Sequence, residues 1–145
     1  QADSVRLRLQ SGGMVPFKYH SIYQYSEGVE YPDWTIFRID TIANGTPKTW
    51  DLEFKALSYN GTNYGIKGDF TTNVLDLSNI TLSANGSGFG AGTFGSNIAL
   101  NSNYSDLVTG AQGEGTIYIS YACDSLLGEP ADYYFVDIIF RLTEY

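Results

Sequence analysis

Side chains suited to bond-making chemistry are scarce in this chain: one histidine, His20, one cysteine, Cys123, and one methionine, Met14. A Cys/His metal cage needs several such ligands and an intrachain disulfide needs a second thiol, so both are excluded. A general base needs a nucleophile and an orienting partner. His20 stands in Phe17-Lys18-Tyr19-His20-Ser21, and no G-x-S-x-G elbow occurs, so it reads as a structural or surface histidine. Glu27, Glu30 and Asp33 cluster near Tyr31 and Trp34. Paired carboxylates hydrolyse glycosides when they flank one bond, but in an acidic chain their sequence proximity reads as a solvated loop or at most a calcium site, without EF-hand spacing. Gly90-Ala91-Gly92-Thr93-Phe94-Gly95 matches G-x-G-x-x-G. A dinucleotide fingerprint needs a helix after it, whereas residues 96–105 are polar, Asn-rich and without helical period. Residues 83–97 are therefore expected to form a surface loop or a glycine-bulged edge strand. Neither an enzyme nor a metal or other cofactor is expected.

The aromatic residues suggest binding rather than catalysis. Tyr31, Trp34, Tyr59 and Tyr64 lie in or beside turn-rich segments, and a flat exposed ring stacks against a sugar face. Tyr31 and Trp34 are the candidate ligand contacts. Tyr23, Tyr25, Tyr118 and Tyr121 read as strand, core or interface residues, since Tyr buries much area while keeping a polar end. N-x-S/T sequons stand at Asn44, Asn60, Asn79, Asn85 and Asn103. Asp3-Ser4-Val5, Asp40-Thr41-Ile42 and Asp124-Ser125-Leu126 resemble a short bacterial O-glycosylation acceptor.

The elements that position these residues are strands. The 145 residues make one domain, 43% hydrophobic and 15% aromatic, which excludes intrinsic disorder. A net charge of −8 opposes binding to nucleic acid or anionic membrane, and no apolar run is long enough for a membrane-spanning helix. Trp50, Leu52, Phe54 and Ala56 alternate with Thr49, Asp51, Glu53 and Lys55, an antiparallel strand with one wet face. Further strands are expected over 15–25, 34–40, 74–82, 115–122 and 134–142. Asn44-Gly45, Asn60-Gly61 and Asn85-Gly86 are hairpin-turn signals, and Pro32, Pro47 and Pro130 are placed at strand borders. This predicts an all-β fold, a single antiparallel β-sandwich of Ig-like or jelly-roll type with eight or nine strands. The chain opens at Gln1 and is rich in Gly and Tyr but poor in Lys and Arg, which suggests an exported, mature chain.

The first residues are the most informative. Val5, Leu7 and Leu9 alternate with Arg6, Arg8 and Gln10, and Gly12-Gly13 follows as a candidate hinge. The strand has two homes: the first strand of its own sandwich, or a groove in a neighbouring subunit. Burying three aliphatic side chains is worth about 1.5–3 kcal/mol each, enough for either. Residues 1–10 carry a net +1 in a chain of net −8, so a cationic strand would enter an acidic body.

An alternating apolar N-terminal extension, an all-β body and a long alternating strand ending near Tyr145 resemble the bacterial donor-strand pilins. The chain departs from that family in its single Cys123 and in Glu144 at the penultimate position, where such pilins carry Tyr. The resemblance implies an Ig-like sandwich lacking one strand and polymerised head to tail. The expectation is thus a residue 1–13 extension with its glycine hinge, a sandwich over 14–145, and an extracellular or cell-surface fibre subunit whose partner is another copy of itself. The alternative is a secreted carbohydrate-binding module, with glycans as partners.

Overall fold

A computed structural model describes residues 4–15, 27–42, 48–69, 72–126, 129 and 134–145. The strands are β1 (Ser4–Ser11), β2 (Val29–Ile42), β3 (Thr49–Ala56), β4 (Ile66–Gly68), β5 (Val74–Leu75) and β6 (Ile80–Ser87). They continue with β7 (Ala91–Phe94), β8 (Ile98–Ala99), β9 (Ser105–Gln112), β10 (Gly115–Cys123), β11 (Tyr134–Phe135) and β12 (Ile138–Glu144). All pairings are antiparallel. One sheet runs β1-β2-β10-β6-β8, a second runs β12-β3-β9-β7, and a small third runs β11-β4-β5. Among the described residues no helix is long and apolar enough to cross a membrane.

The chain is all-β and sandwich-like because alternation along each strand gives each large sheet one apolar face. In β3, Trp50, Leu52, Phe54 and Ala56 are fully buried while their neighbours are half-buried. In β10, Ile117, Ile119, Tyr121 and Cys123 face the same interior. Phe37 and Ile39 of β2, Leu82 of β6, and Leu107 and Val108 of β9 complete one continuous core. Phe37 meets Phe140 of the other sheet edge-on, with centroids 4.9 Å apart.

Twelve strands are present among the described residues rather than eight or nine, because several short strands of two to four residues escape a pattern that needs longer runs. The strand expected over 74–82 is instead β5, a 3-10 turn at Leu77–Asn79, and β6. The strand expected over 134–142 is divided: β11 pairs with β4, whereas β12 pairs with β3. Asn85-Gly86 is not a hairpin turn. It lies within β6, opposite Tyr118 and Ile117, where the absent Gly86 side chain leaves room for the Phe94 ring. Pro32 is not at a strand border either. It sits inside β2 where the β2–β10 register slips, so its missing amide interrupts no regular ladder. The G-x-G-x-x-G segment contributes β7, an edge strand whose register shifts across Gly92 at φ +131°. The strand expected over 15–25 lies, from residue 16 on, outside the described residues, as do His20, Tyr23, Tyr25, Asn44-Gly45, Pro47 and Pro130.

Candidate functional site

β1 forms the edge of the five-stranded sheet, paired to β2 from Ser4 opposite Ile42 to Ser11 opposite Ile36. Its alternation divides its side chains as far as Arg8, and the register shifts between Leu9 and Ser11. Val5 and Leu7 are half-buried and pack against the core, while Leu9 is 51% exposed. On the other face Arg6 and Arg8 converge with Arg38 of β2 on a single carboxylate, Asp40, at 3.4, 3.1 and 3.3 Å. Burial pushes the Asp40 carboxyl upward, but hydrogen bonds from Arg38, Arg8 and Arg6 outweigh it and hold the group below its ordinary range.

The strand ends in a seat that no local pattern announced. Gly12 has φ +74°, and a Cβ there would collide with the Trp34 carbonyl oxygen and lie 2.7 Å from Thr35 Cα. The Gly12 carbonyl accepts a 2.6 Å hydrogen bond from Thr35 Oγ1, which lies 2.7 Å from the Tyr121 hydroxyl. Having spent its proton on Gly12, Thr35 accepts from Tyr121. The result is a relay, Tyr121 to Thr35 to Gly12, running from β10 through β2 to the end of β1. Thr35 is only 2% exposed, and burial raises the Tyr121 phenol above its ordinary value. Two residues beyond Gly12, the Met14 carbonyl accepts from the Trp34 indole N–H at 2.7 Å. In this arrangement Gly12 packs closely against the backbone of Trp34 and Thr35.

Beyond β1 lies β12, with Ile138, Phe140 and Leu142 half-buried against the core. Among the described residues, the one hydrogen bond between β1 and β12 is from the Val5 amide to Glu144 Oε2, at 3.0 Å. Thr35 and Glu144 are thus members of this site that sequence reasoning missed, while Tyr121, read as a strand or core residue, is buried in β10 and meets Thr35. The readable signal was Thr35, a hydroxyl on the face of β2 that otherwise carries Phe37 and Ile39.

The other candidates are placed apart. The Tyr31 and Trp34 rings touch one another, centroids 5.0 Å apart and tilted by 46°, with Trp34 40% exposed. Asp33, at φ +48°, donates its amide to Ser120 Oγ and accepts from the Asn85 side-chain amide, each at 2.9 Å. Glu27 and Glu30 are exposed. Cys123 is buried. Among the described residues no group of three or more His, Cys, Asp or Glu side chains is placed to hold a metal ion. Compared with protein-family models and with curated protein sequences, the chain matches none.

Proposed function

We propose that this chain is a structural subunit of an extracellular filament or surface fibre, polymerising by insertion of its N-terminal strand into a neighbouring copy. The observation that carries the reading is the position of β1: an edge strand paired along one side only, with an apolar face against the core. In sequence β1 and β2 are separated by residues 12–28, more than the roughly 2–5 residues between the strands of an ordinary hairpin. A neighbour's β1 would present the same Val5, Leu7 and Gly12 to the same seat. Closure within one chain and closure between chains then make equivalent contacts, and tether length and protein concentration set the balance between them. The extracellular setting rests on composition alone.

Negative-stain electron microscopy of the purified chain over a range of concentrations tests this, beside a variant lacking residues 2–10. The full chain is expected to form regular filaments and the truncated chain to remain monomeric or in small oligomers. Uniform monomers of the full chain at every concentration, or filaments persisting unchanged after the deletion, overturn the proposal. A second reading, carbohydrate binding, is favoured by a different observation, the exposed aromatic ring described next.

A further inference from the structure

An open groove of about 520 Å³ lies at the edge of the small third sheet. It is lined by Tyr59, Asn60, Asn63, Lys67, Asp69 and Phe135. Phe135 stands on β11 opposite Lys67 of β4 and is 53% exposed. Tyr59 is half-buried, with the Lys67 ammonium 5.9 Å from its ring centroid. Asn60 shapes the adjoining turn: its Oδ1 accepts from the amides of Thr62 and Asn63 at 3.0 and 2.8 Å. Gly61 follows at φ +93°. Among the described residues, neither the Asn63 side-chain amide nor the Asp69 carboxylate has a partner within the chain.

We infer that this groove binds a neutral carbohydrate, the sugar ring stacking on Phe135 while vicinal hydroxyls bond to Asp69 and Asn63. The chemistry of the lining selects that class. A carboxylate accepts strongly from hydroxyl donors, and an amide offers both a donor and an acceptor. An aromatic face receives the C–H face of a pyranose. Asp69, in a chain of net −8, opposes phosphate and uronate ligands. Lys67 beside Tyr59 opposes a cationic ligand that would otherwise suit an aromatic ring next to a carboxylate. The openness of the groove, walled by amides and charges, does not suit a purely apolar one. The inference rests on the carbohydrate reading and is independent of strand exchange. It moves the contact away from Tyr31 and Trp34, whose rings pack on each other and whose indole N–H is already bonded to Met14.

The test is an NMR and calorimetric titration of the full chain with neutral glucose-, galactose- and mannose-based oligosaccharides, each at millimolar concentration, beside uronate oligosaccharides. At least one neutral sugar is expected to bind saturably and to shift the Phe135 and Tyr59 ring protons. Phe135→Ala and Asp69→Asn are each expected to weaken it about tenfold or more, while Phe135→Tyr retains it. Both side chains are exposed, so thermal unfolding should be unchanged and the loss attributable to the groove. Binding by uronates only, by no neutral sugar, or binding that survives both substitutions overturns the inference. Binding lost instead in Trp34→Ala also overturns it and returns the site to the Tyr31–Trp34 pair. Electron microscopy of the same samples reads filament formation separately, so either proposal can fail without the other.

Discussion

Gly12→Ala probes the seat of β1 most directly. Two costs add. A non-glycine residue held at φ +74° loses about 1–2 kcal/mol to its own backbone. The new Cβ also meets the Trp34 carbonyl oxygen and the Thr35 Cα, which are backbone atoms and cannot rotate aside. Relief comes only by moving the end of β1 away from β2, which breaks the Thr35–Gly12 hydrogen bond and forfeits about another 1 kcal/mol. The sum is roughly 2–3 kcal/mol. Against this, the half-burial of Val5 and Leu7 contributes only about 2 kcal/mol beyond the ladder hydrogen bonds. Docking of β1 should therefore become nearly balanced. Hydrogen exchange of residues 4–11 is expected to accelerate by about 30- to 150-fold while exchange in β3 and β10 changes much less. Gly61→Ala is the control, since Gly61 is also left-handed at φ +93° but has nothing within 4 Å of its Cβ position. Unchanged protection of β1 in Gly12→Ala, or an equal loss in Gly61→Ala, would refute the reasoning.

Thr35→Val keeps the shape but strands the buried Tyr121 hydroxyl and the Gly12 carbonyl; it should cost about 1–3 kcal/mol in urea unfolding, with Thr35→Ser recovering most of it. Because the folded chain holds the Tyr121 proton more tightly than the unfolded chain does, its contribution is complete below the ordinary phenol value of 10.0 and fades as pH rises through the raised folded value. Alkaline loss of stability should accordingly be smaller in Tyr121→Phe. Asp40 has the opposite sign: its folded value is lowered, so its contribution is present above the ordinary 3.8 and is lost as pH falls through the folded value. Asp40→Asn should flatten that acid limb, as read from thermal midpoints between pH 2 and 5, a span of roughly one to two units around the usual aspartate range. In the core, Leu52→Ala should cost about 2–5 kcal/mol, whereas the same change at half-exposed Leu9 should cost less than about 1 kcal/mol. Equal effects at the two positions would contradict the inward assignment of β3 and the open placement of Leu9.

What was legible in the sequence is what short-range physics controls. Side chains alternate across a strand, so the spacing of Trp50, Leu52, Phe54 and Ala56 was sufficient to identify a strand with one buried face, and the structure buries all four. The same period identified Val5, Leu7 and Leu9 as one face of an N-terminal strand, of which the structure packs Val5 and Leu7 against the core and leaves Leu9 exposed, and the scarcity of His and Cys bounded the chemistry before any fold was known. Pairing is a different matter. Residues 134–142 read as one run, yet β11 joins β4 and β12 joins β3, because a strand's partner depends on residues more than sixty positions away. Asn85-Gly86 carries a turn signal, but Tyr118 and Ile117 hold it in a ladder, where Phe94 occupies the space that a side chain at Gly86 would need. Gly12 was recognisable as flexible from its type. That it is held in the left-handed region by the backbone of Trp34 and Thr35, with Tyr121 behind them, is decided only where β1, β2 and β10 come together, since each contact spans a loop-closure distance that no local propensity encodes. Likewise the spacing around Phe135 sets it on the strand face of Asp137 and Arg141 without saying which segments flank it. Only the pairing of β11 at the edge of a small sheet leaves its ring facing solvent beside Asp69 and Asn63.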